Sequence, residues 1–150
     1  MTLWQASMEA ALDEAKMAAS GGDVPVGSVI LDGDGHIIAR SRNQRELDND
    51  PLAHAEMMAI QRASHQLGNW RLDDCTIVVT LEPCAMCAGA VAQARLKRLV
   101  FGAFDPKAGA VASVFDVLRD PRLPYRPEVI SGVLASQSEA LLAQFFAEHR

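Results

Sequence analysis

The 150-residue chain reads as an α/β protein, a three-layer α/β/α sandwich built on a mixed central sheet of about five strands. Two observations carry that reading. Five short segments of strand character alternate with segments whose apolar residues recur at helical spacing. The clearest strand, Cys75 to Thr80 (CTIVVT), is β-branched and free of charge, as suits a buried strand covered by helices on both faces. No repeat, low-complexity tract or linker-like stretch divides the chain, so residues 1–150 are expected to form one domain.

Taken in order, Trp4, Met8, Ala11, Leu12, Ala15 and Ala19 lie on one face of a helix over residues 2–20, which Gly21-Gly22 ends. Val24 to Leu31 reads as a strand, and Asp32-Gly33-Asp34-Gly35 is turn chemistry. His36 to Ser41 then returns as the second strand of a hairpin. A polar loop, Arg42 to Pro51, leads to a helix from about Ala53 to Gln66. The CTIVVT strand follows, then a helix from Cys84 to Arg95 that begins just after Pro83, then a strand from Leu96 to Phe101. A Gly/Pro loop at 102–110 precedes a short helix near 111–119. A Pro-rich stretch at 121–127, a strand from Glu128 to Val133 and a helix at 136–148 complete the pattern.

Composition narrows the function classes. The chain is 49% hydrophobic and 22% charged, near the globular average, which excludes a largely disordered protein. No apolar run approaches the ~18 residues a spanning helix needs, so no membrane partner is expected. The first twenty residues lack a basic n-region and carry Glu9, Asp13 and Glu14 where a secretory signal would be apolar. Three cysteines are too few, and odd in number, for a disulfide framework. A cytoplasmic protein is the expectation.

The net charge of −5 speaks against a nucleic-acid binder when taken alone, since phosphate contacts need Lys and Arg. Its distribution softens the point. Residues 1–34 hold six acids against Lys16, whereas residues 35–126 hold twelve basic residues against ten acids. The basic residues fall in groups: Arg40, Arg42 and Arg45; Arg95, Lys97 and Arg98; Lys107, Arg119, Arg122 and Arg126. For any one group a solvated surface is the favoured reading, and a local positive face is the alternative.

The chemistry sits in two short segments, His54-Ala55-Glu56 and Pro83-Cys84-Ala85-Met86-Cys87, each at a helix start. Cys84 and Cys87, three apart, share one helix face. A first helical turn favours thiolate over thiol, because free N–H groups and the helix dipole point at it. Two thiolates and one imidazole suit Zn²⁺, and three protein ligands leave a fourth tetrahedral position for water, the pattern of a catalytic site. His36, His65 and His149 are poorly placed to be a fourth ligand, and Cys75 reads as a buried apolar residue.

Glu56 imposes a condition. Positions i and i+2 point about 200° apart on a regular helix, so His54 and Glu56 converge only if His54 occupies the non-helical entry to the first turn. Asp50-Pro51 upstream favours such an irregular entry. Glu56 would then be placed for proton transfer beside the metal. An isolated HxE means little, and an isolated CxxC is commonly redox or structural zinc. The two together, about 25–30 residues apart with a strand between, form a specific combination.

These residues resemble the zinc-dependent nucleobase deaminases. Within them the chain is similar to the bacterial tRNA-specific adenosine deaminase family over nearly its whole length. The likeness runs through Val24-Pro25-Val26-Gly27, Asn43, Ala53 to Met57, Thr80 to Ala90, Val100 to Ala103, Asp105 to Ala110 and Phe115 to Leu118. The resemblance implies a cytidine-deaminase-like fold, a homodimer and one Zn²⁺ per subunit on His54, Cys84 and Cys87. It implies Glu56 as the proton shuttle. It also implies substrate contacts from Asn43, Asp105 and Arg126, and conversion of the wobble adenosine of an arginine tRNA anticodon stem–loop to inosine. Where the family shows Leu-Asn-His-Arg, this chain has Leu123-Pro124-Tyr125-Arg126, so only Arg126 of the polar residues carries over. Tyr125, the single tyrosine, is a residue able to stack on a base.

Two other functions fit parts of the pattern. A deaminase of a free base such as guanine or cytosine needs a closed pocket and no basic surface, which suits the acidic charge. A catalytically silent RNA- or partner-binding subunit needs no glutamate at position 56, and Glu56 is present.

Overall fold

A computed structural model describes residues 1–149. Helix α1 spans Leu3–Ser20 and opens on a capping box in which Thr2 and Gln5 exchange side-chain and backbone hydrogen bonds. Strands β1 (Gly27–Leu31) and β2 (Ile37–Arg42) form the expected hairpin. A one-turn helix α2 (Arg45–Asp48) interrupts the polar loop before helix α3 (Ala55–Leu67). Strand β3 (Thr76–Leu81), helix α4 (Ala85–Gln93), strand β4 (Arg98–Ala103), strand β5 (Glu128–Ile130) and helix α5 (Ala135–Glu148) follow.

The five strands lie in the order β2-β1-β3-β4-β5. β1 pairs antiparallel with β2 and with β3, while β3, β4 and β5 run parallel, so the sheet is mixed as expected. Alternate side chains of β1, β3 and β4 fill two cores. Ile30, Ile77, Val79, Leu99 and Phe101 pack with the buried alanines of α3 and with Ala88 and Val91 of α4. Val29, Leu31, Val78 and Val100 pack with Met8, Ala11 and Leu12 of α1, and Leu141 of α5 joins them. This is the α/β/α sandwich. Gly27 lets α1 sit tightly on β1, because a Cβ there would lie 1.9 Å from the Ala11 carbonyl oxygen.

The expected helix near 111–119 does not form. The N–H groups of Val111, Ala112 and Ser113, which would open it, all donate to Glu82 Oε2 instead, and the segment is a series of turns. The final strand is also shorter than expected. It pairs with β4 only from Glu128 to Ile130, and Gly132 at φ +80° turns the chain toward α5.

The topology decides where function can sit. β3 and β4 point their carboxyl ends, Leu81 and Ala103, the same way, and β3 runs through Glu82 and Pro83 directly into α4. The amino end of α4 therefore lies at the carboxyl edge of the sheet, where α/β folds place ligands.

Candidate metal centre and active site

His54 is the residue that caps α3, with extended backbone (φ −76°, ψ 149°), so the irregular entry required of it is present. Cys84 occupies the same position on α4 (φ −73°, ψ 177°), and Cys87 lies in that helix's first turn. The two helix starts converge. His54 Nδ1 is 3.7 Å from Cys84 Sγ and 3.6 Å from Cys87 Sγ, so the three ligand atoms form one compact cluster and Nδ1 is the nitrogen that faces the sulfurs.

A tetrahedral ion with metal–sulfur and metal–nitrogen bonds of about 2.3 and 2.0 Å separates its sulfur and nitrogen ligands by roughly 3.5 Å. The observed spacing fits that value without rearrangement. Among the described residues one other group of three such side chains is close enough to hold an ion, Asp32, Asp34 and His36 on the exposed hairpin turn.

Electrostatics agree with a ligand set. Cys84 is held down to about 3, first by the hydrogen bond from Cys87 and then by His54, against the opposing effect of burial. Cys87 is pushed upward by the same bond and by burial. Hydrogen bonding to Cys84 raises His54, while the Arg45 guanidinium opposes it.

Glu56 is 4% exposed. Burial raises its carboxyl to about 7, and His54 and a hydrogen bond with Cys87 act in the other direction. A carboxyl so placed can hold or release a proton near neutrality, as general acid–base work requires.

The remaining expected site residues are placed differently. Asn43 is buried, and its side chain ties two segments together: Oδ1 accepts from the Ala55 N–H at 2.9 Å and Nδ2 donates to the Val24 carbonyl at 3.2 Å. It fixes the backbone beside His54. Asp105 follows β4 at the active-site end of the sheet, where its side chain accepts from the Lys107 and Ala108 N–H groups. Arg126 is exposed and lies just before β5, whose first residue pairs with Arg98, so it stands at the opposite end of the sheet from the cluster. Tyr125 stacks on the Arg95 guanidinium at 4.0 Å. Arg119 and Arg122 form ion pairs with their neighbours Asp116 and Asp120.

Glu82 was missed by sequence reasoning beyond its place in the Thr80–Ala90 segment. Its buried carboxylate accepts from the backbone of Asp105, Val111, Ala112 and Ser113 and from the Ser113 hydroxyl. It thus pins the loop after β4 to the turn that carries Cys84. Gly109 makes the approach possible, because a Cβ there would lie 2.3 Å from the carboxyl carbon. The only sequence signal was an acid directly before Pro83-Cys84.

The model of the MafB19-like deaminase family matches residues 2–138. The chain belongs to that family. Its tRNA-specific adenosine deaminase relative from Bacillus subtilis is 46% identical over 150 residues, spanning all of this chain and 92% of the relative. A Streptococcus pyogenes serotype M1 protein of the same description is 43% identical over 143 residues, 95% of this chain and 83% of that one. In Deinococcus radiodurans the match, 47% identical, is to a quarter of a tRNA(Ile)-lysidine synthase. Among solved structures, one from a study of A-to-I editing by tRNA:A34 deaminases at the wobble position superposes with a TM-score of 0.88. It is 44% identical and covers 91% of this chain and 99% of that one. A guanine deaminase from Bacillus subtilis superposes with a TM-score of 0.65 at 33% identity, covering 96% and 92%. The expected deaminase-like fold and enzyme class are thereby met. No helix among the described residues is long and apolar enough to cross a membrane.

Proposed function

We propose that this deaminase hydrolyses the 6-amino group of the wobble adenosine in a tRNA anticodon loop, leaving inosine, with an arginine tRNA as substrate. The observation that carries this reading is the full-length likeness to tRNA-specific adenosine deaminases at 46% and 43% identity, stronger than the 33% likeness to a guanine deaminase. Preservation of Glu56 beside the ligand cluster supports an active enzyme over a silent binding subunit.

His54 Nδ1, Cys84 Sγ and Cys87 Sγ would hold one Zn²⁺, which would supply Lewis acidity to the attacking water. Glu56 takes the proton that water gives up as its oxygen bonds to C6 of adenine, and passes it to the ring N1. As the tetrahedral C6 collapses, Glu56 takes the second proton of the former water from the C6 hydroxyl while the C6–O double bond forms, and gives it to N6 as the C6–N6 bond breaks and ammonia leaves. Burial of Glu56 keeps that proton from bulk water.

Asn43, which holds the Ala55 amide beside His54, and Asp105, on the loop after β4, are assigned to the target nucleotide. Arg126 is assigned to RNA backbone away from the target base. The enzyme is assigned to the cytoplasm and to a homodimer, in keeping with the resemblance. A transcribed arginine anticodon stem–loop tests the proposal, with free adenine, guanine and cytosine assayed in parallel for ammonia. Inosine in the RNA alone is expected. Ammonia from a free base with an unaltered stem–loop would overturn the RNA substrate and leave the metal chemistry in place.

A further inference from the structure

Phe104 has no part in the chemistry described so far, yet it is a large apolar ring left 49% exposed. Its backbone is clamped on both sides by Glu82. The Glu82 N–H donates to the Ala103 carbonyl at 2.8 Å, and the Asp105 N–H donates to Glu82 Oε1 at 3.0 Å. Phe104 therefore stands at the carboxyl edge of β3 and β4, beside the turn that runs through Pro83 to Cys84. Its ring meets that of Phe101 edge to face, with centroids 5.1 Å apart at 89°. Phe101 is fully buried, so the outer ring rests on a fixed support while much of its surface is open to solvent.

We propose that Phe104 is a stacking platform for the unpaired nucleobase next to the target adenosine, an inference that rests on the RNA reading above. A base can be deaminated only after leaving its stack, and the departure strips its neighbour of a partner. An exposed, rigidly backed aromatic ring at this carboxyl edge of the sheet replaces that partner, and it does so for any base because every base has a π-face. Phe104 touches the substrate but not the reacting atoms, so it acts on binding and not on the chemical step.

The test measures KM and kcat for inosine formation by the wild-type chain and by Phe104→Ala, Phe104→Leu and Phe104→Trp. The substrates are the intact stem–loop and two stem–loops abasic on the 5′ or the 3′ side of the target. Phe104→Ala and Phe104→Leu are expected to raise KM by about 5- to 150-fold with little change in kcat, and Phe104→Trp to retain the wild-type value. Leucine preserves the apolar contact with Phe101 but has no ring face, so it separates stacking from packing. One abasic substrate is expected to raise the wild-type KM by a similar factor and to cause no further loss in Phe104→Ala. A wild-type KM in Phe104→Leu, or fully additive losses on both abasic substrates, would overturn the platform alone. Absence of editing by the wild-type chain would overturn the RNA reading, and the platform with it.

Discussion

Glu56 lies two residues past His54, and only the extended backbone at His54 lets both reach Cys87. Replacing it by Gln keeps its size and removes the proton. Turnover is expected to fall by at least ~10²–10⁴-fold. Bound metal and melting temperature should stay at wild-type values or slightly above, since a buried ionisable group has been neutralised. Measuring kcat alongside metal content decides it: substantial turnover in Glu56→Gln would remove the proton shuttle. Asn43 carries a separate expectation. Its side chain satisfies the Ala55 N–H, and a buried N–H left without a partner costs about 1–3 kcal/mol. Asn43→Ala should lower the melting temperature and weaken metal binding together. An effect on KM with an unchanged melting temperature would instead show a substrate contact with no structural part.

At the level of elements, Glu82 joins the turn that carries Cys84 to the loop after β4. Burial opposes its ionisation, yet the Ser113 hydroxyl and the N–H groups of Ala112, Asp105 and Ser113 more than offset that and hold it below its ordinary 4.5. The folded state thus binds this proton more weakly than the unfolded chain. The stability Glu82 contributes is present above about pH 4.5 and is lost as pH falls through the lower folded value. Denaturant unfolding of the wild-type chain and Glu82→Gln across this range is the check. The variant should be weaker at neutral pH, and the gap between the two should narrow on acidification; a constant gap would contradict the role.

The same residue shows why part of the chain was not legible in its sequence. Helices α1, α3, α4 and α5 and the hairpin were read within about three residues, because their apolar spacing and their Gly and Pro stops are local signals. The segment 111–119 has helix-compatible residues, but a carboxylate about thirty positions upstream takes its first amides, a tertiary event that no local pattern reports. α2 is one turn without a buried residue, and so had no periodicity to find. In the site, the convergence of His54, Cys84 and Cys87 was legible from chemistry and spacing. The structural bonding of Asn43 was not, since the reach from the end of β2 to the start of α3 depends on the fold.

For the molecule as a whole, the cluster bridges two helix starts, α3 and α4, on one face of the sheet. An ion bound there ties those elements together and stabilises the folded state over the unfolded one. Cys84→Ala, or removal of metal from the wild-type chain by a chelator, should therefore lower the melting temperature as well as abolish activity. Unchanged metal content and melting temperature in Cys84→Ala would contradict the ligand assignment. The charge pattern also gains a physical reading. Arg42, Arg98, Arg119 and Arg122 are each engaged by an acidic partner, so the basic groups of residues 35–126 offer RNA less free charge than their number suggests. The most direct measurement is nucleoside mapping of a full-length transcribed arginine tRNA after incubation with the zinc-loaded enzyme. Inosine at the wobble position, with every other adenosine intact, is the expected result. An unmodified tRNA together with release of ammonia from free guanine would contradict it.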